Sequence, residues 1–286
     1  MTSKAATALT ILLSTAACTH RQASVDVVYA VSIEPQRWLL EQLADSTATI
    51  VTMLPSGANP ETFDPTMNLR AKAEEASAYF ATGALPFETS FKEVSHTPFF
   101  DTSAGIERIY GTHDHLHGEG NGHHDHDEAD PHFWTSVSGA RQMAANMAEA
   151  LKEMDPDNSH KYDARLLALN GRLDSLDSSI RSRLSQPASR TFAVWHPSLS
   201  YFARDYGLHQ LSVGQESKEM SARQMKEAID EAKADSVRVF FFQSQYDAQR
   251  AQTISDAIGA RMVTINPLAY DWDRQINLIT DELSRP

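Results

Sequence analysis

The sequence has almost no cysteine, an excess of negative over positive charge, and no long hydrophobic run. Cys18 is its only cysteine, which excludes an intramolecular disulfide and a cysteine-based zinc site. Lysine and arginine number 25 against 38 aspartate and glutamate residues, giving a net charge of −13. Nucleic-acid binding needs clustered positive charge, and no such cluster occurs, so nucleic acid is excluded as a partner. No segment approaches the roughly 18 consecutive apolar residues of a membrane-spanning helix.

The first 24 residues predict export and a lipid anchor. Residues 1–17 have the short apolar stretch and small-residue ending of a signal peptide. The end of this segment resembles the lipobox of bacterial lipoproteins, in which the cysteine, here Cys18, is acylated and becomes the mature N-terminus; Thr15 departs from the usual leucine. Residues 18–24 are then a lipid-anchored tether. The alternative is cleavage near Ala17 with a free cysteine, and both place the protein on the periplasmic or cell-surface side of a bacterial membrane.

Strand-like and helical patterns alternate through both halves of the remaining chain. This alternation predicts right-handed crossovers and parallel sheets covered on both faces, so the expected fold class is α/β with two parallel-sheet lobes. The predicted strands cover residues 25–31, 50–54, 79–82, 108–110, 191–195, 210–213, 237–242 and 262–265.

One long amphipathic helix is predicted between the lobes, over residues 156–186. Its apolar residues recur at steps of three and four, and they are Tyr162, Leu166, Leu169, Leu173, Leu176, Ile180 and Leu184. The alternative, a coiled-coil partner helix, would need a longer run of heptads. We therefore expect an N-terminal lobe over 25–155, a C-terminal lobe over 187–286, and a strut roughly 40 Å long that resists large hinge bending.

The segment 113–129 is rich in histidine and acidic residues, and its glycines make it a flexible insertion. Imidazole and carboxylate donors suit divalent ions such as Zn²⁺, so we predict accessory metal capture, with zinc storage by this loop alone as one alternative and an acidic solubilising linker as the other. The candidate capture residues are His113, His115, His117, His123, His124 and His126.

Four single residues outside this loop are further candidate ligands. His196 follows a predicted strand, at the edge where open α/β sheets place ligands, and Glu61 lies in a proline-rich loop after another strand. His132 precedes a predicted helix, and Asp271 precedes the last one. Each also has a purely structural alternative, such as the helix N-cap for Asp271.

Four segments agree in order and spacing with a known family: PSGANPETFDP at 55–65, DPHFW at 130–134, HPSLSYFARDYGL at 196–208 and NPL at 266–268. Through them, the chain from about residue 27 to 283 resembles the solute-binding lipoproteins of ABC importers for zinc and manganese. The acidic, histidine-rich insertion before the second segment is typical of the zinc branch.

The resemblance implies two lobes joined by a rigid helix and one ion held in the cleft between them. His132 and His196 match family ligands, Glu61 stands where the family usually has histidine, and Asp271 is the candidate fourth ligand with Glu216 behind it. Zn²⁺ is then the transported ligand of a monomeric, non-enzymatic protein that serves an ABC permease and its ATPase. The alternatives are a manganese- or iron-binding homologue and a zinc-dependent hydrolase, which would use the same ligands with an open position for water.

Overall fold

The computed structural model describes residues 27–44, 46–110, 129–214 and 221–285. Within these ranges the chain forms two parallel four-stranded sheets, each covered by helices, and a long helix between them. The predicted α/β fold class with two lobes is therefore confirmed. Within the part of the chain that the structure describes, no helix is both long and apolar enough to cross a bilayer.

The first lobe is built on a sheet with strand order β2-β1-β3-β4. The inner strands are almost wholly apolar because helices cover both faces; Ala30 in β1, for example, pairs with Val51 and Tyr79 and is fully buried. The strands are β1 (Val28–Val31), β2 (Thr49–Thr52), β3 (Ala78–Ala81) and β4 (Phe99–Asp101). The helices are α1 (Glu34–Leu43), α2 (Met67–Glu74), α3 (Pro86–Val94) and α4 (Val137–Met154).

The fourth strand of this sheet is not where the sequence pattern placed it. The prediction of a strand at 108–110 was wrong: Tyr110 makes only an isolated antiparallel bridge with Ala129. The edge position belongs to β4, where Phe99 stacks on Tyr79 of β3 at 5.2 Å between ring centroids. Aromatic pairs between β3 and β4 therefore contribute to the edge position of β4. The periodicity of a single segment cannot predict pairs between two strands.

The second lobe repeats the same arrangement with strand order β6-β5-β7-β8. Its strands are β5 (Thr191–Val194), β6 (His209–Ser212), β7 (Val239–Gln243) and β8 (Arg261–Ile265). Its helices are α6 (Ser200–Tyr206), α7 (Ala222–Ala234), α8 (Ala248–Ile258) and α9 (Trp272–Ser284). Each of the eight predicted strands except 108–110 overlaps an observed strand.

The predicted long helix is confirmed as α5 (Ser159–Arg183), which follows a 3₁₀ turn at Pro156–Asn158. Its 25 residues span about 37 Å at 1.5 Å each. The helix packs against α1 and α4 of the first lobe and α9 of the second. One face is buried along its length, by Tyr162, Leu169, Leu173 and Ile180.

One hydrophobic core runs from the first sheet through α4 and α5 to one face of the second sheet. A smaller cluster fills the opposite face of the second sheet, under α7 and α8. Because the two lobes share the larger core, separating them would expose buried apolar surface, and the ligand candidates of the two lobes are held in a defined relative position.

Candidate metal site

Hydrogen bonds with residues close to it in the sequence fix the position of His132. The carboxylate of Asp130 accepts hydrogen bonds at Oδ1 from the backbone N–H of His132 (2.8 Å) and from its ring Nδ1 (2.9 Å). Thr135 donates both its N–H (3.0 Å) and its hydroxyl (2.8 Å) to the carbonyl of His132, starting the 3₁₀ turn Phe133–Thr135. The tautomer assigned from this network carries the proton on Nδ1, which leaves the Nε2 lone pair for a metal.

The surroundings of the Asp130 carboxylate keep it in the ionised form that accepts these hydrogen bonds. The carboxylate is fully buried, and burial alone would raise its pKa, but hydrogen bonds from the ring and backbone of His132 and the electrostatic interaction with that ring outweigh the effect of burial and hold the pKa of Asp130 below its usual value. The group therefore stays ionised at neutral pH and orients the imidazole.

His196 comes from the second lobe, two residues beyond the end of β5. Trp195 continues the strand by donating its N–H to Phe241 of β7 (2.9 Å), which fixes the direction of the chain at His196. The imidazole is buried and lies 6.1 Å from the ring of Tyr246, which follows β7. The site thus lies at the carboxyl ends of β5 and β7, between which the strand order reverses.

Glu61 reaches the same place from a loop that follows β2. Its N–H donates to the side-chain carbonyl of Asn59 (2.9 Å), and Phe63 packs edge-to-face on Phe87 of α3 with 5.4 Å between ring centroids. These contacts tie the loop to the first lobe. The Glu61 side chain is 30% exposed, so its carboxylate lies at the mouth of the site.

The three side chains converge. The Nε2 atoms of His132 and His196 are 3.0 Å apart, and His196 Nε2 is 3.8 Å from Glu61 Oε1. One donor atom from each residue lies within 4.8 Å of the others. Two ligands of a tetrahedral Zn²⁺ at about 2.05 Å are separated by about 3.3 Å, so these distances bracket the spacing that one ion requires.

Both lobes also supply the walls around these donors. The cavity has a volume of about 240 Å³, including space open to solvent. Its lining residues are Pro60, His132, Trp134, His196, Ser198, Gln243, Gln245, Tyr246, Pro267 and Leu268. Three protein donors with an open side leave room for a fourth ligand, such as water.

Asp271 is not brought to this group. It precedes α9, its side chain is 48% exposed, and its carboxylate lies 3.7 Å from Arg274. The side chain of Asn266, in the fourth motif, accepts a hydrogen bond from the N–H of Leu268 (3.1 Å). The ligand role of Asp271 stays a prediction. The predictions for Cys18, Glu216 and the six histidines at 113, 115, 117, 123, 124 and 126 lie outside the described residues.

Sequence reasoning missed the residues that hold the ligands in place. Asp130 lies in the DPHFW segment, and the sequence pattern predicts no role for it, although an aspartate two residues before a histidine can accept the backbone N–H of that histidine. The indole of Trp134 donates to Pro267 of the second lobe (3.1 Å), and that of Trp272 donates back to the carbonyl of Trp134 (2.6 Å). No local pattern signals such a reciprocal contact between lobes.

Comparison with known proteins shows one consistent family. A family model described as zinc-uptake complex component A, periplasmic, matches residues 29–280. The zinc-binding lipoprotein AdcA of Streptococcus pneumoniae is 26% identical over 274 residues, covering 91% of this chain and 54% of AdcA. The high-affinity zinc uptake system protein ZnuA of Bacillus subtilis is 26% identical over 243 residues, covering 82% of this chain and 76% of that protein. This chain thus spans about half the length of AdcA.

Solved structures agree with the sequence matches. A crystal structure of ZnuA superposes with a TM-score of 0.81 at 30% identity, covering 91% of this chain and 98% of the other. A deletion variant of ZnuA with zinc bound gives a TM-score of 0.80, also at 30% identity, covering 91% and 97%. The resemblance carried by the four sequence segments is confirmed.

Proposed function

Because the chain belongs to the family of zinc-uptake complex component A, periplasmic, we propose that it captures Zn²⁺ outside the cytoplasm and delivers it to an ABC importer. Its partners are the permease and ATPase subunits of that importer. It acts as a monomer and is attached to the membrane only by a lipid on Cys18. The relatives named for zinc binding and zinc uptake support this proposal.

One observation carries the proposal: Glu61, His132 and His196 come from three separate chain segments and present donor atoms within 4.8 Å of one another. Both imidazoles are buried, and an ionised carboxylate next to His132 orients one of them. The two buried Nε2 atoms face each other at 3.0 Å, and a metal ion bound beside them would accept a lone pair from each ring.

The donor set favours zinc among the common divalent ions. Neutral imidazole nitrogen discriminates against Ca²⁺ and Mg²⁺, which prefer oxygen, and two histidines with one glutamate form an acceptable zinc site. The single carboxylate neutralises one of the two charges of the ion. Manganese and iron also accept this combination, so the binding assay includes both metals as competitors.

The assay is a competitive zinc titration against a chromophoric chelator at neutral pH, repeated in the presence of Mn²⁺ and of Fe²⁺ as competing metals. His132→Ala and His196→Ala are expected to weaken zinc binding at least hundredfold. His160→Ala, an exposed histidine on α5, is the matched control and should leave affinity unchanged. Retained tight binding in both site variants would reject the site.

Two further variants assign the remaining donors. Glu61→Ala weakens binding if the carboxylate is a ligand, and unchanged affinity would show that it is not. Asp271→Asn tests the predicted fourth ligand in the same way. A chain lacking residues 113–128, which keeps Ala129 and its bridge to Tyr110, should keep one tightly bound ion, whereas storage by the histidine-rich segment alone requires that all tight binding disappear.

Delivery is tested by zinc accumulation in cells that carry the importer. His132→Ala protein should fail to restore uptake when it replaces the wild-type protein, and His160→Ala should restore it. The hydrolase alternative predicts zinc-dependent cleavage of ester, phosphate or peptide substrates by the purified protein, and such turnover would count against a transport role.

A further inference from the structure

The two segments that flank residues 111–128 lie side by side next to the metal site. Tyr110 and Ala129 form an antiparallel bridge, and the N–H of Asp130 donates to the carbonyl of Ile109 (2.8 Å). We call these four residues, 109–110 and 129–130, the stem. Because Asp130 also holds the backbone and ring of His132, any displacement of the stem displaces this candidate ligand.

A single hydroxyl from the second lobe binds both sides of the stem. Tyr201 lies on α6, five residues after His196, and is fully buried. Its hydroxyl donates to the carbonyl of Asp130 (2.8 Å) and accepts the N–H of Ile109 (3.2 Å). The hydroxyl group therefore both donates and accepts a hydrogen bond across the boundary between the lobes.

On the basis of the proposed function, we propose that Tyr201 is a positioning residue for metal binding. It is on the segment that begins with His196, and it fixes the segment that ends with His132. Through this contact it sets the separation of the two imidazoles before an ion arrives. A preorganised pair loses less freedom when the ion binds, which raises affinity without adding a ligand.

The contribution of the hydroxyl can be separated from that of the ring. The ring of Tyr201 meets Phe133 edge-to-face at 6.2 Å between centroids, and the guanidinium of Arg204 lies over it at 5.1 Å. Phenylalanine at this position keeps both contacts and removes only the hydroxyl. The buried carbonyl of Asp130 and the partly buried N–H of Ile109 then lose this partner, and the stem is free to shift.

The matched control is on the same helix. Tyr206 is also buried at the end of α6, and its hydroxyl donates to the carboxylate of Asp177 on α5 (2.9 Å), away from the metal site. Tyr206→Phe therefore removes one buried tyrosine hydroxyl from α6 without touching the stem. Both variants are expected to lower the thermal midpoint of the metal-free protein.

The experiment measures zinc affinity by chelator competition and the visible spectrum of the Co²⁺-substituted protein, which reports ligand geometry. Tyr201→Phe should weaken zinc binding about tenfold, within the range seen for groups that orient metal ligands, and should alter the Co²⁺ spectrum. Tyr206→Phe should leave both unchanged.

Three outcomes overturn the proposal. If Tyr201→Phe binds zinc like the wild type and has the same Co²⁺ spectrum, the positioning role is wrong, while the proposed zinc function stands. If Tyr206→Phe weakens binding as much as Tyr201→Phe, the effect is general loss of stability. If the wild-type protein itself does not bind zinc, the proposed function is wrong and the positioning role falls with it.

Discussion

Replacing Asp130 with asparagine tests whether the carboxylate behind His132 contributes to metal affinity. Asp130 Oδ1 accepts from the Nδ1 of His132 at 2.9 Å and from its backbone N–H at 2.8 Å. Asparagine preserves the shape and one acceptor oxygen but removes the negative charge. Because the carboxylate makes imidazole a better donor and fixes its tautomer, we expect zinc affinity to fall tenfold to hundredfold, about 1.4 to 2.7 kcal/mol.

The control for this substitution is Asp155→Asn. Asp155 lies between α4 and α5, where its carboxylate accepts hydrogen bonds from Asn158 (2.8 Å) and Tyr162 (2.9 Å). The pKa of Asp155 is lowered, chiefly by the hydrogen bond from Asn158, as that of Asp130 is lowered by its own partner. Chelator competition at neutral pH should show weaker zinc binding only for Asp130→Asn. Equal affinities in both variants and the wild type would refute the reasoning.

The same substitution has a pH signature in the metal-free protein. Since the pKa of Asp130 is lower in the folded protein than its usual value of 3.8, the unfolded chain binds more protons in that range. Stability from Asp130 is therefore fully present above pH 3.8 and is lost as the pH falls through the lowered value. Urea unfolding should show the wild type and Asp130→Asn converging in strong acid, and a difference that grows on acidification would contradict this sign.

Three further predictions concern stability in the metal-free protein. Gly139→Ala should destabilise the protein by about 1–3 kcal/mol, because a Cβ at this position would lie 2.0 Å from the carbonyl oxygen of Phe133. Thermal melting measures the loss of stability, and a midpoint equal to that of the wild type would contradict the prediction. Gly171 lies in the exposed middle of α5, where a new Cβ would meet no atom within 4 Å beyond its chain neighbours and the backbone of its own helix. Gly171→Ala should therefore stabilise the protein by about 0.5–1 kcal/mol in the same assay, and a lower midpoint would count against this prediction. Burial raises the pKa of Glu88 more than hydrogen bonds from Ser32 and Thr82 lower it, so the folded state holds this proton more tightly than the unfolded state and loses stability as the pH rises above 4.5. The stability difference between the wild type and Glu88→Gln, followed by urea unfolding, should decrease from mildly acidic to neutral pH; an increase would show that the carboxylate form is the favoured one.

The fold followed from local patterns wherever those patterns were strong. The stripe of apolar residues over 162–184 predicted α5 because a helix buries every third or fourth residue. The predicted alternation of strands and helices also holds at α7 and α8, which lie between the strands of the second lobe and whose caps Ser221 and Asp247 accept hydrogen bonds from the first turn. The pattern failed at β4, a short edge strand whose Phe99 stacks on Tyr79 of β3.

The sequence by itself determined which residues could bind a metal and at which strand ends they lie. A parallel strand brings the residue after its carboxyl end to one edge of the sheet, so Glu61 and His196 were identifiable from their positions alone. Only the tertiary structure decided that these two meet His132, which is 64 residues away from His196. The physical reason is that the distances between donor atoms depend on the relative position of the two lobes. That position is fixed by the shared core, by the hydrogen bonds of Tyr201, and by those of the Trp134 and Trp272 indoles. Periodicity along the chain contains no information about that packing.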